Sequence, residues 1–356
     1  MKEAQEKKMS PTPEAPPPKD GGLLSDSSGS GSTRSHTPEE PSNRLLSPMH
    51  IAIIGAGWNG CVTALQLKKE GHHVILIDKN PDIFSGVSGS FGIRGHKGPH
   101  YPRSKATREH CLEAYEEFIK VFPETLLLVD RGIYAVGKLD ALGRPSLTSW
   151  DSFHETFHHL DFQTLDPESQ GFNNMEGAMQ VQEHCIVLGE KLRAIFREKL
   201  ARAGIPVYCG ETVQAIRRDK VLKKTQLKGL EYLGDFDWVV NATGYQSLIP
   251  PTLKTKLPVD MQVFYQPCLA LNYQDLSPNP DGKPFSLIVM DGWFPCVMPA
   301  QTGQVFDHRY TLTHGCYTIM ASCTTPKEAY DCLHAITPSD IATIVTRAEE
   351  QICRFF

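Results

Sequence analysis

The sequence predicts an α/β fold in which a mainly parallel sheet is combined with an interleaved antiparallel region. The apolar run Ile51-Ala52-Ile53-Ile54 is typical of a strand buried on both faces of a parallel sheet. A glycine turn, an amphipathic helix over 61–70 and a second strand, His73–Asp78, follow directly. The first folded segment is therefore a βαβ unit.

The rest of the chain alternates between helical and strand spacing. Helices are predicted over 104–122 and 186–203, and Gly204 ends the second one. Strands are predicted over 126–136, 205–209 and 237–241, the last of them buried, and short antiparallel strands over 212–217 and 225–232. Further β-rich stretches are predicted over 260–271, 284–291 and 307–322. A helix is predicted near 338–354. The glycines and prolines of 88–104 predict a loop there.

Composition limits the classes of partner. Residues 1–47 are rich in Pro, Ser and Gly and poor in large apolar residues, which predicts a disordered tail. The net charge of -5 gives no reason to expect nucleic acid or an anionic membrane as a partner. The ten cysteines show no C-x-x-C pair, so we expect no metal site and a reducing, cytoplasmic setting. The oligomeric state stays open.

The turn Gly55-Ala56-Gly57-Trp58-Asn59-Gly60 matches the G-x-G-x-x-G pattern of a Rossmann-type dinucleotide-binding unit. Gly55 permits the tight turn, Gly57 lets the backbone approach a pyrophosphate, and Gly60 lets the helix pack close to the strand. Asp78 follows 18 residues after Gly60, near the spacing of the acid that accepts a ribose hydroxyl. A carboxylate there would repel a 2′-phosphate, so FAD and NAD are both favoured over NADP. The alternative is a glycine turn without a ligand.

Together with Ala242-Thr243-Gly244, which ends a later strand, this turn and Asp78 resemble the FAD-dependent oxidoreductases of the D-amino-acid-oxidase-like (glutathione-reductase-like) superfamily. The resemblance implies FAD as the cofactor. It also implies that Ala242, Thr243 and Gly244 bring backbone against the diphosphate end of FAD, and that an element near Val213 contacts the adenine.

The resemblance further implies a discontinuous FAD-binding domain formed by 48–105 and 180–250. The expected α+β substrate domain then comprises 106–179 and 251–345. The superfamily usually ends in a Gly-Asp segment that closes the flavin site, and nothing after residue 244 matches it. We therefore expect 346–356 to be a truncated C-terminal helix that ends in two exposed phenylalanines.

Candidate catalytic residues lie in the loop after the second strand and in a β-rich stretch. By analogy with the superfamily, His100, Tyr101 and Arg103 lie near the flavin or the substrate, and Arg94 or Arg103 suits a substrate carboxylate. His314 is a candidate to anchor or deprotonate a substrate. The alternatives are a polar surface loop with incidental histidines and, for His314, a hydrogen-bonded core residue.

The resulting hypothesis is an FAD-dependent oxidoreductase that oxidises a C–N or C–OH bond of a small molecule by hydride transfer to flavin N5. Two alternatives stay open. One is a truncated, non-catalytic protein with the FAD fold that acts through partners. The other is an NAD-dependent dehydrogenase.

Overall fold

The computed structural model describes residues 47–91, 93–218, 225–228, 232–244, 264–276 and 282–356. The predicted tail over 1–47 lies outside the described residues except for Ser47, and so do the first four residues of the stretch predicted at 260–271.

The described elements are, in chain order, β1 (His50–Ile54), α1 (Trp58–Lys69), β2 (His73–Asp78), α2 (Val87–Ser90), β3 (Ile93–Gly95), α3 (Lys105–Val121), β4 (Leu126–Gly137), α4 (Trp150–Phe157), β5 (Gln163–Leu165), β6 (Met175–Ile186), α5 (Gly189–Arg202), β7 (Val207–Cys209), β8 (Ala215–Arg218), β9 (Thr225–Lys228), β10 (Tyr232–Phe236), β11 (Trp238–Asn241), β12 (Leu271–Gln274), β13 (Phe285–Met290), β14 (Pro295–Pro299), β15 (Arg309–His314), α6 (Pro326–Ala335) and α7 (Pro338–Ile352).

The first sheet is parallel and has the strand order β11-β1-β2-β7. Its central strand β1 is buried at Ile51–Ile54, as the continuous apolar run predicts. Side chains of α1 and α5, among them Ala64, Leu192 and Phe196, pack with Ile53 on one face of this sheet. The other face packs against a small antiparallel sheet of order β10-β9-β8 through Phe236. This is the Rossmann-type half of the fold, and it confirms the predicted fold class.

The second sheet is larger and mixed. Its strand order is β12-β15-β14-β13-β4-β6-β3, and β5 pairs with β6 beside that path. The β4–β13 pair is parallel, whereas the other neighbours are antiparallel. Because β3 pairs with β6, the segment that leaves the parallel sheet at Asp78 crosses directly into the second sheet. The domain boundaries given above stay a prediction, but this crossing brings the two sheets together at β3.

The C-terminal residues are anchored. Phe355 is 1% exposed and packs in a cluster with Phe294 and Phe172, whereas Phe356 is 50% exposed. The guanidinium of Arg354 donates to the backbone oxygens of Leu139 and Asp140, each at 3.0 Å. The expectation of two exposed terminal phenylalanines is therefore wrong for Phe355, whose ring fills a gap between the second sheet and the loop after β5.

Several other local predictions are wrong in detail. The segment 88–104 is not entirely a loop, because it contains the end of α2 and all of β3. Ile186 ends strand β6 rather than beginning a helix, since it pairs with Ile93 and with Leu126. Strand β11 is not buried: it lies at the edge of the described parallel sheet, and Trp238 is 63% exposed. Within the described residues, no helix is both long and apolar enough to cross a membrane.

Candidate active site

A cavity of about 950 Å³ lies between the two sheets and is lined by six separated stretches of the chain. We call its two ends the glycine-turn end and the α3 end. The glycine-turn end is formed by β1, the start of α1, Asp78 and the residues after β11, whereas the α3 end is formed by β3 and one face of α3. Nine of the ten predicted cofactor-binding residues line the cavity: Gly55, Gly57, Trp58, Asn59, Asp78, Val213, Ala242, Thr243 and Gly244.

Two glycines of the turn, Gly55 and Gly60, are required by the backbone around them. Gly55 has a φ of +103°, and a Cβ there would lie 2.5 Å from the carbonyl oxygen of Ala242. Gly60 is the predicted cofactor residue that does not line the cavity. A Cβ on Gly60 would overlap the carbonyl oxygen of Gly55, so this glycine allows α1 to pack against the turn. A Cβ on Gly57 would lie 2.7 Å from Ser88 Oγ, at the wall of the cavity.

The carboxylate of Asp78 holds the turn in place. Its Oδ2 accepts a hydrogen bond from the N–H of Ala56 at 2.7 Å, and its Oδ1 accepts one from the N–H of Asn80 at 2.8 Å. A carboxylate has about four lone-pair positions, so capacity for a ribose hydroxyl remains. Asp78 therefore lies in the cavity, as its spacing predicts. It also holds the turn through two hydrogen bonds, a structural role that the spacing did not predict.

The glycine-turn end fits the diphosphate of a dinucleotide. Helix α1 starts at Trp58, and its N-cap residue, Gly57, provides no side-chain hydrogen bond. The helix N-terminus therefore presents backbone N–H groups and the positive end of its dipole to the cavity. A volume of about 950 Å³ is near the upper limit of usual ligand sites, as a ligand of the size of FAD requires.

The α3 end contains a buried guanidinium. The side chain of Arg94 is 7% exposed, and its Nε lies 4.0 Å from Oε2 of Glu183, which is 2% exposed. The guanidinium carbon is also 5.0 Å from the centre of the Tyr134 ring, and Nη2 lies 3.3 Å from His100 Nδ1. Within the described part of the chain, Nε and Nη1 have no hydrogen-bond partner. Buried N–H groups usually have a partner, so this pair of donors indicates a place where a ligand oxygen would be bound.

Glu183 is the counter-charge of Arg94 and is held by two other groups. Its Oε1 accepts from the N–H of Lys97 at 2.8 Å, and its Oε2 accepts from the hydroxyl of Tyr134 at 2.6 Å. Burial raises the pKa of Glu183, while the Arg94 charge and the Tyr134 hydrogen bond act in the opposite direction. Sequence reasoning missed Glu183 because β6, which carries it, was not predicted.

The aromatic residues after β3 form a cluster at the cavity. His96 lines the cavity, and its ring centre is 6.1 Å from that of His100 and 5.6 Å from that of Tyr101. Burial and the nearby Arg94 charge lower the pKa of His96 to about 3, which keeps its ring neutral at pH 7. His100 and Tyr101 thus lie beside the cavity without lining it, and His96 is a lining residue that was not among the predicted catalytic residues.

The two remaining candidates, Arg103 and His314, lie outside the cavity lining. Arg103 is 61% exposed and forms a bidentate pair with Asp291, with Nε 2.5 Å from Oδ2. His314 is 1% exposed, its Nδ1 accepts from the N–H of Cys316 at 3.2 Å, and burial lowers its pKa to about 4. This environment matches the alternative of a hydrogen-bonded core histidine.

One face of α3 contributes side chains that the sequence did not identify as site residues. Cys111, Ala114, Tyr115 and Phe118 line the cavity. Their spacing of i, i+3, i+4 and i+7 is that of one helical face. In a sequence, a helical face that packs in a core and one that lines a cavity have the same pattern, so the helix predicted over 104–122 did not reveal this role.

The match to a family model establishes the class of protein. Residues 50–350 match the model of the DAO family, described as FAD-dependent oxidoreductase. The chain belongs to this family, is an FAD-dependent oxidoreductase and uses FAD as its cofactor. This decides between FAD and NAD in favour of FAD.

Individual relatives agree with this assignment. The chain is 45% identical over 316 residues to the FAD-dependent monooxygenase kojA of Aspergillus flavus, covering 88% of this chain and 73% of that protein. It is 26% identical over 312 residues to the FAD-dependent monooxygenase FPY4 of Fusarium mangiferae, covering 87% of this chain and 76% of that protein.

Solved structures show the same fold. NikD, an amino acid oxidase essential for nikkomycin biosynthesis, superimposes with a TM-score of 0.62 at 14% identity, covering 87% of this chain and 78% of that chain. Glycine oxidase from Bacillus cereus gives a TM-score of 0.58 at 17% identity, covering 86% of this chain and 78% of that chain. At these identities the likeness concerns the fold alone.

Proposed function

We propose that the protein oxidises a C–N or C–OH bond of a small molecule that carries an anionic or strongly polar oxygen group. When bound, FAD supplies the redox chemistry by accepting a hydride at N5. In this proposal the glycine-turn end holds the nucleotide part of FAD through Gly55, Gly57, Gly60, Trp58, Asn59, Asp78, Val213, Ala242, Thr243 and Gly244. The α3 end then surrounds the flavin and the substrate.

The observation that carries the substrate part of the proposal is Arg94. Its guanidinium is buried, lines the cavity and has two nitrogens, Nε and Nη1, without hydrogen-bond partners in the described part of the chain. A guanidinium N–H that has no protein partner can donate to a carboxylate oxygen, and such charge-assisted bonds are strong where water is excluded. Arg103 is a poorer candidate, because its guanidinium already binds Asp291 and is exposed. His100 and Tyr101 lie where they could contact the same ligand.

The names of the relatives suggest a second candidate function. A monooxygenase inserts one oxygen atom into its substrate, and two relatives that cover most of this chain are named FAD-dependent monooxygenases. In that case the buried guanidinium of Arg94 would still orient an anionic substrate, but the product would gain an oxygen atom.

The test starts from the purified holoenzyme, which should show the absorbance of oxidised flavin. A panel of amino, imino and hydroxy acids, with matched amines and alcohols that lack the carboxylate, is then assayed for anaerobic bleaching and for hydrogen peroxide under air. Bleaching by a carboxylate-bearing member, and not by its matched neutral analogue, is expected.

Other outcomes identify the alternatives. Incorporation of ¹⁸O from labelled dioxygen, dependent on a nicotinamide reductant, would replace the proposal with monooxygenation. A flavin spectrum that no panel member and no reductant changes would favour the non-catalytic alternative.

A further inference from the structure

Tyr115 and His184 connect a wall of the cavity with the surface of the second sheet. Tyr115 lies on α3, is 7% exposed and belongs to the cavity lining. Its hydroxyl is 2.7 Å from Nδ1 of His184 on β6. His184 is half-buried and lies opposite Leu128 of β4, which is 42% exposed. One member of the pair therefore borders the cavity, and the other lies where the sheet meets solvent.

The second ring nitrogen of His184 is accessible. The hydrogen bond to Tyr115 uses Nδ1, and Nε2 has no protein partner within the described ranges. Nε2 is also absent from the buried polar atoms that lack a partner in those ranges. A ring nitrogen that is neither bonded to protein nor buried is open to water. The imidazole can therefore exchange a proton with water on one side and with Tyr115 on the other.

The surroundings keep both groups neutral at pH 7. Burial, with a smaller contribution from Glu183, raises the pKa of Tyr115 to about 12. Burial and the Lys97 charge lower the pKa of His184. The Lys97 ammonium lies 5.8 Å from the centre of the Tyr115 ring. A neutral phenol beside a neutral imidazole can pass a proton along without leaving a charge in the cavity wall.

We propose that Tyr115 and His184 form a proton relay between the cavity and solvent. A proton released in the cavity binds to the oxygen of Tyr115, whose own proton moves along the hydrogen bond to Nδ1 of His184. The proton on Nε2 then leaves to water, so that one proton has left the cavity and no charge remains. The same steps in reverse bring a proton in. A 180° turn of the His184 ring then presents the unprotonated nitrogen to Tyr115 and the N–H to water, so the pair is ready for the next proton. The relay does not depend on which bond the enzyme oxidises.

The competing explanation is that the hydrogen bond only tethers α3 to β6. Both explanations predict some loss of stability when either residue is replaced, so stability does not separate them. A tether needs no exchangeable proton on His184, whereas a relay does. Replacement of the missing imidazole by free imidazole therefore restores a relay and does not restore a tether.

The experiment measures proton uptake without a substrate. The holoenzyme is reduced anaerobically by flash photoreduction with 5-deazaflavin and EDTA as the sacrificial electron donor, in weakly buffered solution containing phenol red. The dye reports the proton that flavin reduction takes from the medium after the signal of an enzyme-free blank is subtracted. Tyr115→Phe and His184→Ala are each expected to slow this uptake by about 100-fold, the lower end of the range for loss of a positioned acid–base group. Added imidazole should restore the rate of His184→Ala and leave Tyr115→Phe slow.

The matched control is Tyr310→Phe, because Tyr310 is a buried tyrosine, 6% exposed, outside the cavity lining. It should take up protons at the wild-type rate. Flavin absorbance and thermal midpoint are recorded for every variant. If Tyr115→Phe binds no flavin, the measurements on His184→Ala with and without imidazole decide the test. Uptake at the wild-type rate in His184→Ala, or slow uptake that imidazole does not restore, would overturn the relay. Failure of the substrate panel would leave this readout intact.

Discussion

The two ends of the cavity are built in different ways. At the glycine-turn end, Gly55 and Gly60 let backbone segments approach each other so closely that no side chain fits at either position. At the α3 end the wall consists of side chains, and the charged pair Arg94–Glu183 is 89 residues apart in the chain. The first end is specified by short-range spacing, whereas the second is specified by the pairing of β3 with β6. A sequence can therefore reveal a cofactor-binding turn even when it does not reveal which side chains meet at the other end of the same cavity.

The two ends should also fail in different ways. Steric conflict with backbone cannot relax without moving the turn, so it should act on cofactor binding in an all-or-none manner. Loss of a charged side chain leaves space and an unpaired partner, so it should act through stability and substrate binding by a few kcal/mol.

The largest effect is expected for Gly60→Val. A side chain at residue 60 would overlap the carbonyl oxygen of Gly55, so α1 and the turn cannot keep their positions. The purified variant should contain no flavin, as measured by absorbance after desalting. Gly303→Val is the matched control, because a Cβ on that glycine would lie 3.9 Å from the nearest atom and the residue is outside the cavity lining, so it should keep the wild-type flavin content. A yellow Gly60→Val protein with wild-type stability would contradict the steric account.

A smaller effect, at the other end, is expected for Arg94→Gln. The substitution removes the charge that faces Glu183 in the interior, and breaking a buried ion pair on one side costs about 3 kcal/mol. Urea unfolding of the holoenzyme should report this loss while the flavin content stays near that of the wild type. If unfolding free energies of variant and wild type agree within error, Arg94 and Glu183 do not form a coupled buried pair.

Arg103→Gln is the control for that prediction. Arg103 also pairs with a carboxylate, but it is 61% exposed, and exposed pairs contribute about 1 kcal/mol or less. If Arg103→Gln loses as much unfolding free energy as Arg94→Gln, burial does not determine how much each arginine contributes to stability.

How much the sequence could predict follows from the same contrast. The βαβ unit, the turn and Asp78 are confirmed as structure because the contacts that form them, such as that of Asp78 with Ala56, lie within the continuous segment 50–78. Strand β6 (Met175–Ile186) was missed because the charged Glu183 lies on its buried side between Val181 and Cys185, which interrupts the alternation of apolar and polar residues that predicts a strand. Without β6, the contacts of Glu183 with Arg94 and of His184 with Tyr115 could not be predicted. His314 was chosen by residue type and Arg103 by analogy with the superfamily. Neither criterion reveals that a partner such as Asp291 already binds the side chain.

The smallest effect concerns the pH dependence of stability at the α3 end. His96 titrates near 6.5 when unfolded, whereas burial and the Arg94 charge lower its folded pKa to about 3. Between these values the unfolded chain binds a proton that the folded chain does not, so stability is lost as the pH falls from 6.5 towards 3. At pH 5 the loss from His96 should be about 1 to 2 kcal/mol.

In the wild type, Nδ1 of His96 accepts a hydrogen bond from the N–H of Gly98 at 3.2 Å. His96→Asn removes the titrating ring and keeps an acceptor for this N–H. The difference in unfolding free energy between pH 7 and pH 5 should therefore be about 1 to 2 kcal/mol smaller in this variant than in the wild type. An equal pH dependence of stability in His96→Asn and wild type would contradict this account of His96.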